Sequence, residues 1–565
     1  MDRPRTSCVP CLLLVLFGIF AFSPGAEARK RSSPKKIHLR NVKIGIENVF
    51  DPNVPGEHFW PYRLANRLHI RTRASVIREA LLFHPGETVQ EPLLEETERN
   101  LRALPFVKDA KITEVSVNQT DVDLIVKTQD AWTTQPQINF GSEGGKSHFS
   151  TGILEENLLG YGKSFSYFYK KEDLEGISHQ FSYSDPQLFH TRTTLSTLFE
   201  DIPTGNHQSI GLARPFYSLE TPVAGGINFD RSMSLHKVLE RGQETTRYNQ
   251  DHLDVGPYGG VRLNSDLLNV QRLILRYRYT ETISRETTGT TPGSLPRNQT
   301  LSGPILTWTL QQSDFIKEHF IDTAERTEDI NLGHVTSAGT GYSGRVIGAT
   351  QNSVPFTLLD SFGFGADNPW FGLFSYGTSG RYNLYADDQV GGRLVNTLYF
   401  ANANFYRHWP TAFPMTGVAH AEAAHLQNPD TSNLLSIGGS TGLRGFKVDA
   451  FTGNKTILVN LENRFYYPYE ILHLAYLGGA MFCDAGQAQP QGTGFTMADF
   501  RANVGVGFRA ALSRSTEGTV FRIDLAYAIG QIQQNNRWIL SISSGMGFKR
   551  NGNTYSKFVG VPNGS

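Results

Sequence analysis

The stretch LILRYRYT, Leu273–Thr280, alternates between apolar and polar side chains. Its odd-numbered positions hold leucine or tyrosine, and its even-numbered positions, apart from Ile274, hold arginine or threonine. Successive side chains of a β-strand point to opposite faces of a sheet, so a period of two indicates a strand, whereas a period near 3.6 indicates a helix. The stretch therefore predicts a strand with one apolar face and one polar face.

The same alternation recurs from about residue 133 to residue 548. VFRIDLAY, Val520–Tyr527, places four large apolar side chains on one face, and WILSISSGMGF, Trp538–Phe548, sets serines and glycines opposite its apolar face. A soluble sandwich also alternates, but this region holds more than about a dozen such segments, many of them as long as the roughly nine residues that cross a bilayer. Residues 131–548 are thus expected to form one large sheet.

Aromatic side chains mark the ends of many of these segments. Examples are SFSYFYKK, Ser164–Lys171, and NRFYYPYE, Asn463–Glu470, while RETTGTTPGSLPRNQT, Arg285–Thr300, has the composition of a long loop. Membrane barrels carry aromatic girdles at both interfaces. Because lipid supplies no hydrogen bonds, a sheet in a membrane must close on itself. We therefore expect an all-β transmembrane barrel over residues 131–548.

Residues 1–28 have the pattern of a secretory signal. Arg3 and Arg5 precede the apolar run CLLLVLFGIFAF, Cys11–Phe22, and Ala26–Ala28 fits an A-x-A cleavage site. Removal of this segment is expected, and export of the mature chain is predicted.

The composition excludes several classes of function. The 565 residues carry 53 lysines and arginines against 53 aspartates and glutamates, which argues against nucleic acid as a partner because phosphate binding needs clustered positive charge. After the signal no run of 18 apolar residues occurs, so no transmembrane helix is expected. Cys483 is the single cysteine of the predicted mature chain, which excludes an internal disulfide.

Residues 61–130 have a different texture. Two helical patterns, RASVIREALLF and EPLLEETERNLRAL, precede two short strand patterns, AKITEVSV and DVDLIVKT, and Tyr62–Thr72 in front of them is interpreted as a strand. The order β-α-α-β-β predicts a small α+β domain. Residues 29–60, which begin with the basic stretch RKRSSPKK, are expected to be an arm or linker, and residues 549–565 a C-terminal tail.

This small domain resembles a POTRA domain. The phrase LFHPGE followed by LEETERNLRALPFVKDAKI carries the resemblance. It implies a periplasmic module in front of an outer-membrane barrel, which receives extended polypeptides by strand addition at a sheet edge. A small α+β domain without a client stays open as the alternative.

A glycine-rich stretch, GGSTGLRGFK, Gly438–Lys447, contains one arginine, Arg444. It lacks the Gly-Lys-Ser/Thr of a phosphate-binding P-loop. Its GGSTG part fits the G-x-S-x-G pattern of serine hydrolases, but the helix that this motif requires is not predicted after it. Neither chemistry is expected, and the planar guanidinium suits a carboxylate partner instead.

Two later segments supply carboxylates for that arginine. In ILVNLENRFYY the apolar side chains share one face, so Glu462 projects to the other, and in YLGGAMFCDAG both Phe482 and Asp484 project inward. We expect Arg444 to enter the barrel lumen, to pair with Asp484 and to use Glu462 as a second acceptor. Each charge-assisted hydrogen bond contributes about 1.5 to 3 kcal/mol, and nearer the lower value if the lumen is wet.

These features together resemble the BamA/TamA/TpsB superfamily, to which bacterial surface antigen proteins belong. The residues that match its [VIL]-R-G-[FY] loop and its F-x-D-x-G strand are Leu443, Arg444, Gly445 and Phe446, then Phe482, Asp484 and Gly486. The resemblance implies a barrel of about 16 antiparallel strands, with the loop braced in the lumen on the residue that matches Asp484. The count of strand patterns before Arg444 is higher, which indicates either long outer hairpins or a barrel of more than 16 strands. The resemblance also implies a seam where the first and last strands pair imperfectly.

The seam is expected between the strand containing Ile138–Gly141 and the strand that ends at Phe548. Small side chains on the lumen face of that last strand pack weakly and permit close approach, which favours a seam that can open. The residues in question are Ser541, Ser543, Gly545 and Gly547.

The resemblance implies an outer-membrane insertion factor or polypeptide translocation pore. Its clients would be unfolded outer-membrane or secreted β-rich polypeptides, and the chain would be integral to the bilayer. Insertion is favoured over secretion because dedicated secretion pores carry two POTRA domains and a plug helix, for which residues 29–60 are too short. Periplasmic or lipoprotein partners stay open, and a passive porin-like channel is the alternative function.

No enzyme activity, cofactor or metal site is expected. The best metal candidate is HAEAAH, His420–His425. On a strand, His420 and Glu422 share a face and His425 points to the opposite one, so the three cannot form one site.

Overall fold

A computed structural model describes residues 36–117, 121–143, 146–172, 176–240, 243–323, 326–365, 369–384, 393–429, 434–515, 520–530 and 536–544. The expected signal at residues 1–28 and the expected tail at 549–565 lie outside the described residues. So do three of the expected seam residues, Gly545, Gly547 and Phe548. These expectations remain sequence predictions.

The N-terminal domain is a four-stranded sheet with three helices. Its elements are β1 (Lys36–Glu47), α1 (Trp60–Leu68), α2 (Ala74–Ala80), β2 (Thr88–Gln90), α3 (Glu91–Ala103), β3 (Val107–Ser116) and β4 (Asp121–Asp130). The sheet order is β2-β1-β4-β3, with β1 parallel to β4 and the other pairs antiparallel. Alternate residues of β4, such as Leu124 and Val126, share one core with Ile77 of α2 and Leu101 of α3.

The domain starts earlier than the sequence indicated. The expected linker, residues 29–60, contains β1, which pairs with β4 from His38↔Asp121 to Glu47↔Gln129. The boundary predicted at residue 61 is therefore wrong, and the described domain begins at Lys36. The cause is a parallel pairing between segments some eighty residues apart, which no local pattern reveals.

The strand predicted at Tyr62–Thr72 is wrong, because Tyr62–Leu68 belongs to α1. Leu64 and Leu68 are four residues apart, which is the spacing of a helix face. Both leucines are exposed, and α1 contributes no buried residue.

Among the described residues, no helix is long and apolar enough to cross a membrane.

The remaining described strands form a closed antiparallel barrel of twenty strands and two short inner pairs. The predicted all-β barrel is confirmed, and its strand number exceeds 16. The barrel strands are β5 (Thr134–Glu143), β6 (Lys146–Glu155), β7 (Ser164–Glu172), β8 (Gly176–Asp185), β9 (Thr194–Ile202), β10 (Gly205–Arg214), β11 (Val223–Glu240), β12 (Gln243–Arg262), β13 (Asn269–Arg285), β14 (Gln299–Gln312), β17 (Val335–Gly341), β18 (Ser353–Phe364), β19 (Trp370–Asn383), β20 (Leu394–His408), β21 (Met415–Gln427), β24 (Lys455–Tyr466), β25 (Ala475–Gln489), β26 (Arg501–Leu512), β27 (Val520–Ile529) and β28 (Trp538–Ser544). The inner pairs are β15 (Phe315–Glu318) with β16 (Glu328–Asn331), and β22 (Leu435–Ile437) with β23 (Phe451–Gly453).

Exposure in the barrel follows strand parity. On β25, Met481 is 62% exposed and Asp484 0%, and on β13, Leu275 is 56% exposed and Arg272 7%. Apolar side chains therefore cover the outer face and polar side chains line the lumen, as the alternation in LILRYRYT predicts.

The N-terminal domain packs against one end of the barrel, which we call the domain side. The Glu96 carboxylate of α3 accepts a hydrogen bond from the backbone N–H of Leu219, between β10 and β11, at 2.7 Å. Glu79 of α2 pairs with His190, between β8 and β9, at 2.9 Å. Burial at this junction raises the pKa of Glu96, and the Leu219 N–H opposes that shift only in part.

The connection between β14 and β17 folds into the lumen from the domain side. We call its described residues, 313–323 and 326–334, the inner hairpin. Ile321 is fully buried and belongs to one apolar cluster with Tyr406 and Val418 of the barrel wall. No sequence pattern predicts this element, although it occupies the lumen next to the Arg444 region.

Candidate functional site

The Arg444 loop, residues 434–454, connects β21 to β24 and turns back into the barrel. Leu443 and Phe446 are 0% and 2% exposed, and they pack with Leu458 of β24 and Ala528 of β27. Both of these partners are buried residues on the lumen face of the wall. The loop therefore lies inside the lumen, where the sequence placed it.

Two glycines near Arg444 cannot be replaced without strain, one because of its backbone conformation and the other because a neighbouring side chain leaves no room for a Cβ. Gly442 has φ 115°, in the region that side chains disfavour. At Gly445, an added Cβ would stand 2.5 Å from the Cβ of Asn503, which is shorter than any real contact. The loop can approach the wall this closely only because these positions lack side chains.

The Arg444 guanidinium lies between two carboxylates. Its Nε and Nη2 donate to the two oxygens of Asp484 at 3.0 and 2.8 Å, and its Nη1 donates to Glu462 at 2.5 Å. The Arg444 side chain also covers the ring of Phe482, with its Cζ 3.5 Å from the ring centroid. This two-pronged geometry uses the planar fork of arginine, which lysine lacks.

Asp484 is held in place by amides of the neighbouring strands. Asn460 Nδ2 donates to one oxygen at 2.8 Å and also to the carbonyl of Gly442 at 2.7 Å, and Asn503 Nδ2 donates to the other oxygen at 2.7 Å. The carboxylate is fully buried, and hydrogen bonds to a buried charge offset much of its desolvation cost. The loop is therefore seated on a prearranged acceptor.

The pair belongs to a larger cluster, the lumen ion network. Glu462 accepts from Arg464 at 2.9 Å and from Arg509 at 3.5 Å in addition to Arg444. Arg509 also donates to Asp524 at 2.5 Å. Opposite charges thus alternate in this cluster, with Arg522 as a further cation 3.7 Å from Asp524, and this pairing limits the cost of burying charge. Its members are Arg444, Arg464, Arg509, Glu462, Asp484 and Asp524.

Of the predicted residues, Arg444, Asp484 and Glu462 belong to this network, and Phe482 lies against the Arg444 guanidinium. Gly486 has a different role. It lies two residues beyond Asp484, where an added Cβ would be 2.7 Å from the carbonyl oxygen of Ile457, so it allows close strand approach. Arg509, Asp524 and Asn503 were not predicted to take part. Their strand parity was the available signal, because each has the same inward parity as its strand's buried residues.

The inner hairpin joins this network to the N-terminal domain. Arg464 Nη1 donates to the carbonyl of Ile321 at 2.8 Å. At its other end, the hairpin residue Asp329 accepts two hydrogen bonds from Arg102 of α3, at 2.7 and 2.8 Å. Arg326 adds a hydrogen bond to the carbonyl of Val107 at 2.9 Å.

The barrel closes between β5 and β28, the two strands expected to form the seam. Within the described residues these strands share one pair, Ile542↔Ser142. On its other side β28 pairs with β27 continuously, from Tyr527↔Trp538 to Phe521↔Ser544. Ser541 is 7% exposed, opposite Asp524 in that register, and Ser543 lies opposite Arg522.

Two groups bring together histidine and carboxylate side chains of the kinds that bind metals. His420 and Glu422 are buried on the lumen face with their nearest atoms 3.9 Å apart, and His425 lies on the other face, as expected. Glu57, Glu470 and His473 meet at the junction of domain and barrel. Arg514 already donates to both carboxylates there, at 2.7 and 3.0 Å, so this group is an ion-pair cluster.

Comparisons with known proteins give matches among solved structures. No protein-family model and no curated protein matches the chain. The BamA structure from Haemophilus ducreyi that lacks POTRA domains 1-3 is 13% identical over 90% of this chain and 85% of that one, with a TM-score of 0.38. CdiB from Acinetobacter baumannii is 12% identical over 90% and 74%, with a TM-score of 0.44, and CdiB from Escherichia coli is 11% identical over 90% and 76%, with a TM-score of 0.45. At these values the likeness to BamA and CdiB barrels concerns the fold alone.

Proposed function

We propose that the chain is an outer-membrane barrel of the BamA/TamA/TpsB kind that inserts or assembles β-rich polypeptides by pairing their strands at its seam. The observation that carries the proposal is the contrast between the two sides of β28. Its pairing with β27 is continuous, whereas its pairing with β5 reduces to Ile542↔Ser142 in the described residues. Backbone groups left without a partner strand form a template for another chain.

The N-terminal domain offers a second edge for the same kind of pairing. In the order β2-β1-β4-β3, β3 is an edge strand, and its one partner in the described sheet is β4. Val115, near the end of β3, and Val117, just after it, are 43% and 41% exposed. An extended client could add to this edge through backbone hydrogen bonds, which tolerate many sequences. With the domain on the periplasmic side, capture there would precede pairing at the seam.

The lumen ion network favours insertion over passage of a chain through this part of the barrel. The Arg444 loop and the inner hairpin fill the lumen beside β20 to β27 with buried side chains. A polypeptide cannot pass there without displacing the network. Strand exchange at the seam needs no such displacement.

A passive channel remains the second candidate because the lumen also holds a cavity of about 2200 Å³ beside β9 to β20. The two functions make different demands on the N-terminal domain. Removing residues 36–130 should leave the conductance of a passive channel intact and should abolish the assembly activity of an insertion factor.

A cross-link across the seam tests the proposal directly. Cys483, an exposed cysteine on the outer face, is first replaced by serine. Ser142→Cys with Ile542→Cys then joins β5 to β28, and Leu525→Cys with Leu540→Cys joins the continuous pair β27 and β28 as a matched control. Assembly of a reporter barrel is measured in proteoliposomes under oxidising and reducing conditions.

We expect the seam cross-link to stop assembly reversibly, and the control cross-link to leave assembly unchanged. Full assembly activity with a complete seam cross-link would show that the barrel does not open there.

A further inference from the structure

The lumen cavity beside β9 to β20 has a composition that points to a ligand. About half of its lining residues are serine, threonine, asparagine, glutamine or arginine. Its volume of about 2200 Å³ exceeds the roughly 300 to 1,000 Å³ of sites for single small molecules. The space therefore suits an extended chain better than a compact ligand.

Arginines follow this cavity from the domain side to the opposite end. One face of β13 contributes Arg272, Arg276 and Arg278. Because a strand advances about 3.3 Å per residue, the first and third of these lie about 20 Å apart along the barrel. Arg297, in the connection before β14, and Arg381, near the end of β19, continue the series at the far end.

Arg272 and Arg276 form no ion pair with a carboxylate in the part of the chain that the structure describes. Within the described residues Arg272 donates to Gln311 and to the carbonyl of Ser218, at 3.2 and 3.3 Å, and its Nε has no partner although the residue is only 7% exposed. Arg276 forms no hydrogen bond in the same described set, and its guanidinium lies 5.7 Å from the ring of Tyr258. Arg278, in contrast, is paired with Asp254 at 2.6 Å.

The carboxylates that line the cavity are already engaged. Glu96 accepts from the Leu219 N–H, Asp360 lies 3.1 Å from His334, and Glu422 lies beside His420. Five arginines line the cavity, Arg272, Arg276, Arg278, Arg297 and Arg381, against these three carboxylates, so positive charge is in excess at its surface. Arginine side chains that line a pore favour anions over cations.

We propose that this cavity binds an extended chain that carries several carboxylates, such as an acidic polypeptide segment, through Arg272 and Arg276. The guanidinium fork matches a carboxylate, and the spacing of the arginines requires more than one carboxylate on the same chain. This inference goes beyond the proposed function, because it holds for an insertion factor and for a passive channel alike.

The test measures binding and needs neither an open channel nor an assembly client. Fluorescein-labelled hexaglutamate and hexalysine are titrated into the full chain in detergent, and anisotropy is recorded at two salt concentrations. The variants are Arg272→Gln, Arg276→Gln and the double substitution. The control is Arg407→Gln, because Arg407 is exposed on the outer face beside Trp409.

We expect hexaglutamate to bind, hexalysine not to bind, and added salt to weaken the complex. Each single substitution should weaken hexaglutamate binding several-fold and the double substitution by at least about tenfold, while Arg407→Gln has no effect. Equal binding of the two peptides, or hexaglutamate binding that the double variant retains, would overturn the proposal.

Discussion

Arg102 of α3 and Asp329 of the inner hairpin form a two-pronged ion pair, with Nε 2.8 Å from Oδ2 and Nη2 2.7 Å from Oδ1. The same hairpin binds Arg464 through the carbonyl of Ile321, and Arg464 shares Glu462 with Arg444. A continuous set of polar contacts thus joins the N-terminal domain to the Arg444 loop. Such a route proves coupling only when a change at one end shifts the other.

The first prediction concerns that ion pair. Arg102→Ala should release the inner hairpin from the domain, because it leaves Asp329, which is 13% exposed, without its charged partner. Removing one partner of a buried pair costs about 3 to 5 kcal/mol locally. Hydrogen exchange of the peptides that cover residues 315–331 should accelerate while the barrel strands stay protected. If the polar contacts transmit this change from the hairpin to the Arg444 loop, amide hydrogens of that loop should also exchange faster.

Two further variants give this prediction its control and its reversal. Arg40→Ala removes an exposed ion pair with Asp123 at the other side of the domain sheet and should change nothing in the hairpin. The charge swap Arg102→Asp with Asp329→Arg should restore part of the protection. Unchanged exchange in Arg102→Ala would mean that the hairpin is held by its lumen contacts alone.

The second prediction concerns Arg444. Arg444→Ala should leave a folded, heat-modifiable barrel with a mobile loop and impaired assembly. The substitution should destabilise the loop by about 3 to 5 kcal/mol, because Arg444 is only 5% exposed and both carboxylates are buried. This exceeds the roughly 1.5 kcal/mol per hydrogen bond that a wet lumen would give. Arg444→Lys should recover only part of the function, since one ammonium cannot serve Asp484 and Glu462 together.

Lys447 provides the matched control for Arg444, because it is an exposed cation on the same loop. Lys447→Ala should leave loop exchange and assembly as in the unmodified chain. Equal effects of the two alanine substitutions would mean that charge on the loop, and not the buried fork, is what matters.

The third prediction follows from the corrected domain boundary. β1 lies between β2 and β4 in the sheet, so deleting residues 36–47 removes an inner strand and should unfold the domain. A linker would tolerate that deletion. Limited proteolysis decides between the two, with rapid cleavage inside residues 61–130 as the expected result and a protease-resistant domain as the contrary one.

The sequence located the Arg444 contacts because strand parity is a strict period of two. Once Val459 and Leu461 are assigned to the outer face, Glu462 must face the lumen, and the same argument places Asp484. The inner hairpin had no such signal. It is defined by contacts with Tyr406 and Arg464, residues that lie far along the chain and meet it only after the barrel closes. The exact strand number was not predicted, because the resemblance supplied 16 and the high count of strand patterns before Arg444 fitted either long outer hairpins or a larger barrel; the structure has the larger barrel.

The last prediction separates the position of the loop from its charge. Gly445→Ala keeps every member of the lumen ion network, but its Cβ would lie 2.5 Å from the Cβ of Asn503. Overpacking of this kind costs about 1 to 3 kcal/mol. Exchange of residues 438–447 should therefore accelerate and assembly should fall, as in Arg444→Ala.

Asn503→Gly removes the opposing Cβ together with a hydrogen bond to Asp484, so it has a cost of its own. In that background, adding Gly445→Ala should cost much less than it does alone, which a double-mutant cycle on exchange and assembly measures. Equal costs in the two backgrounds would show that Gly445 acts through the loop backbone and not through its distance from the wall.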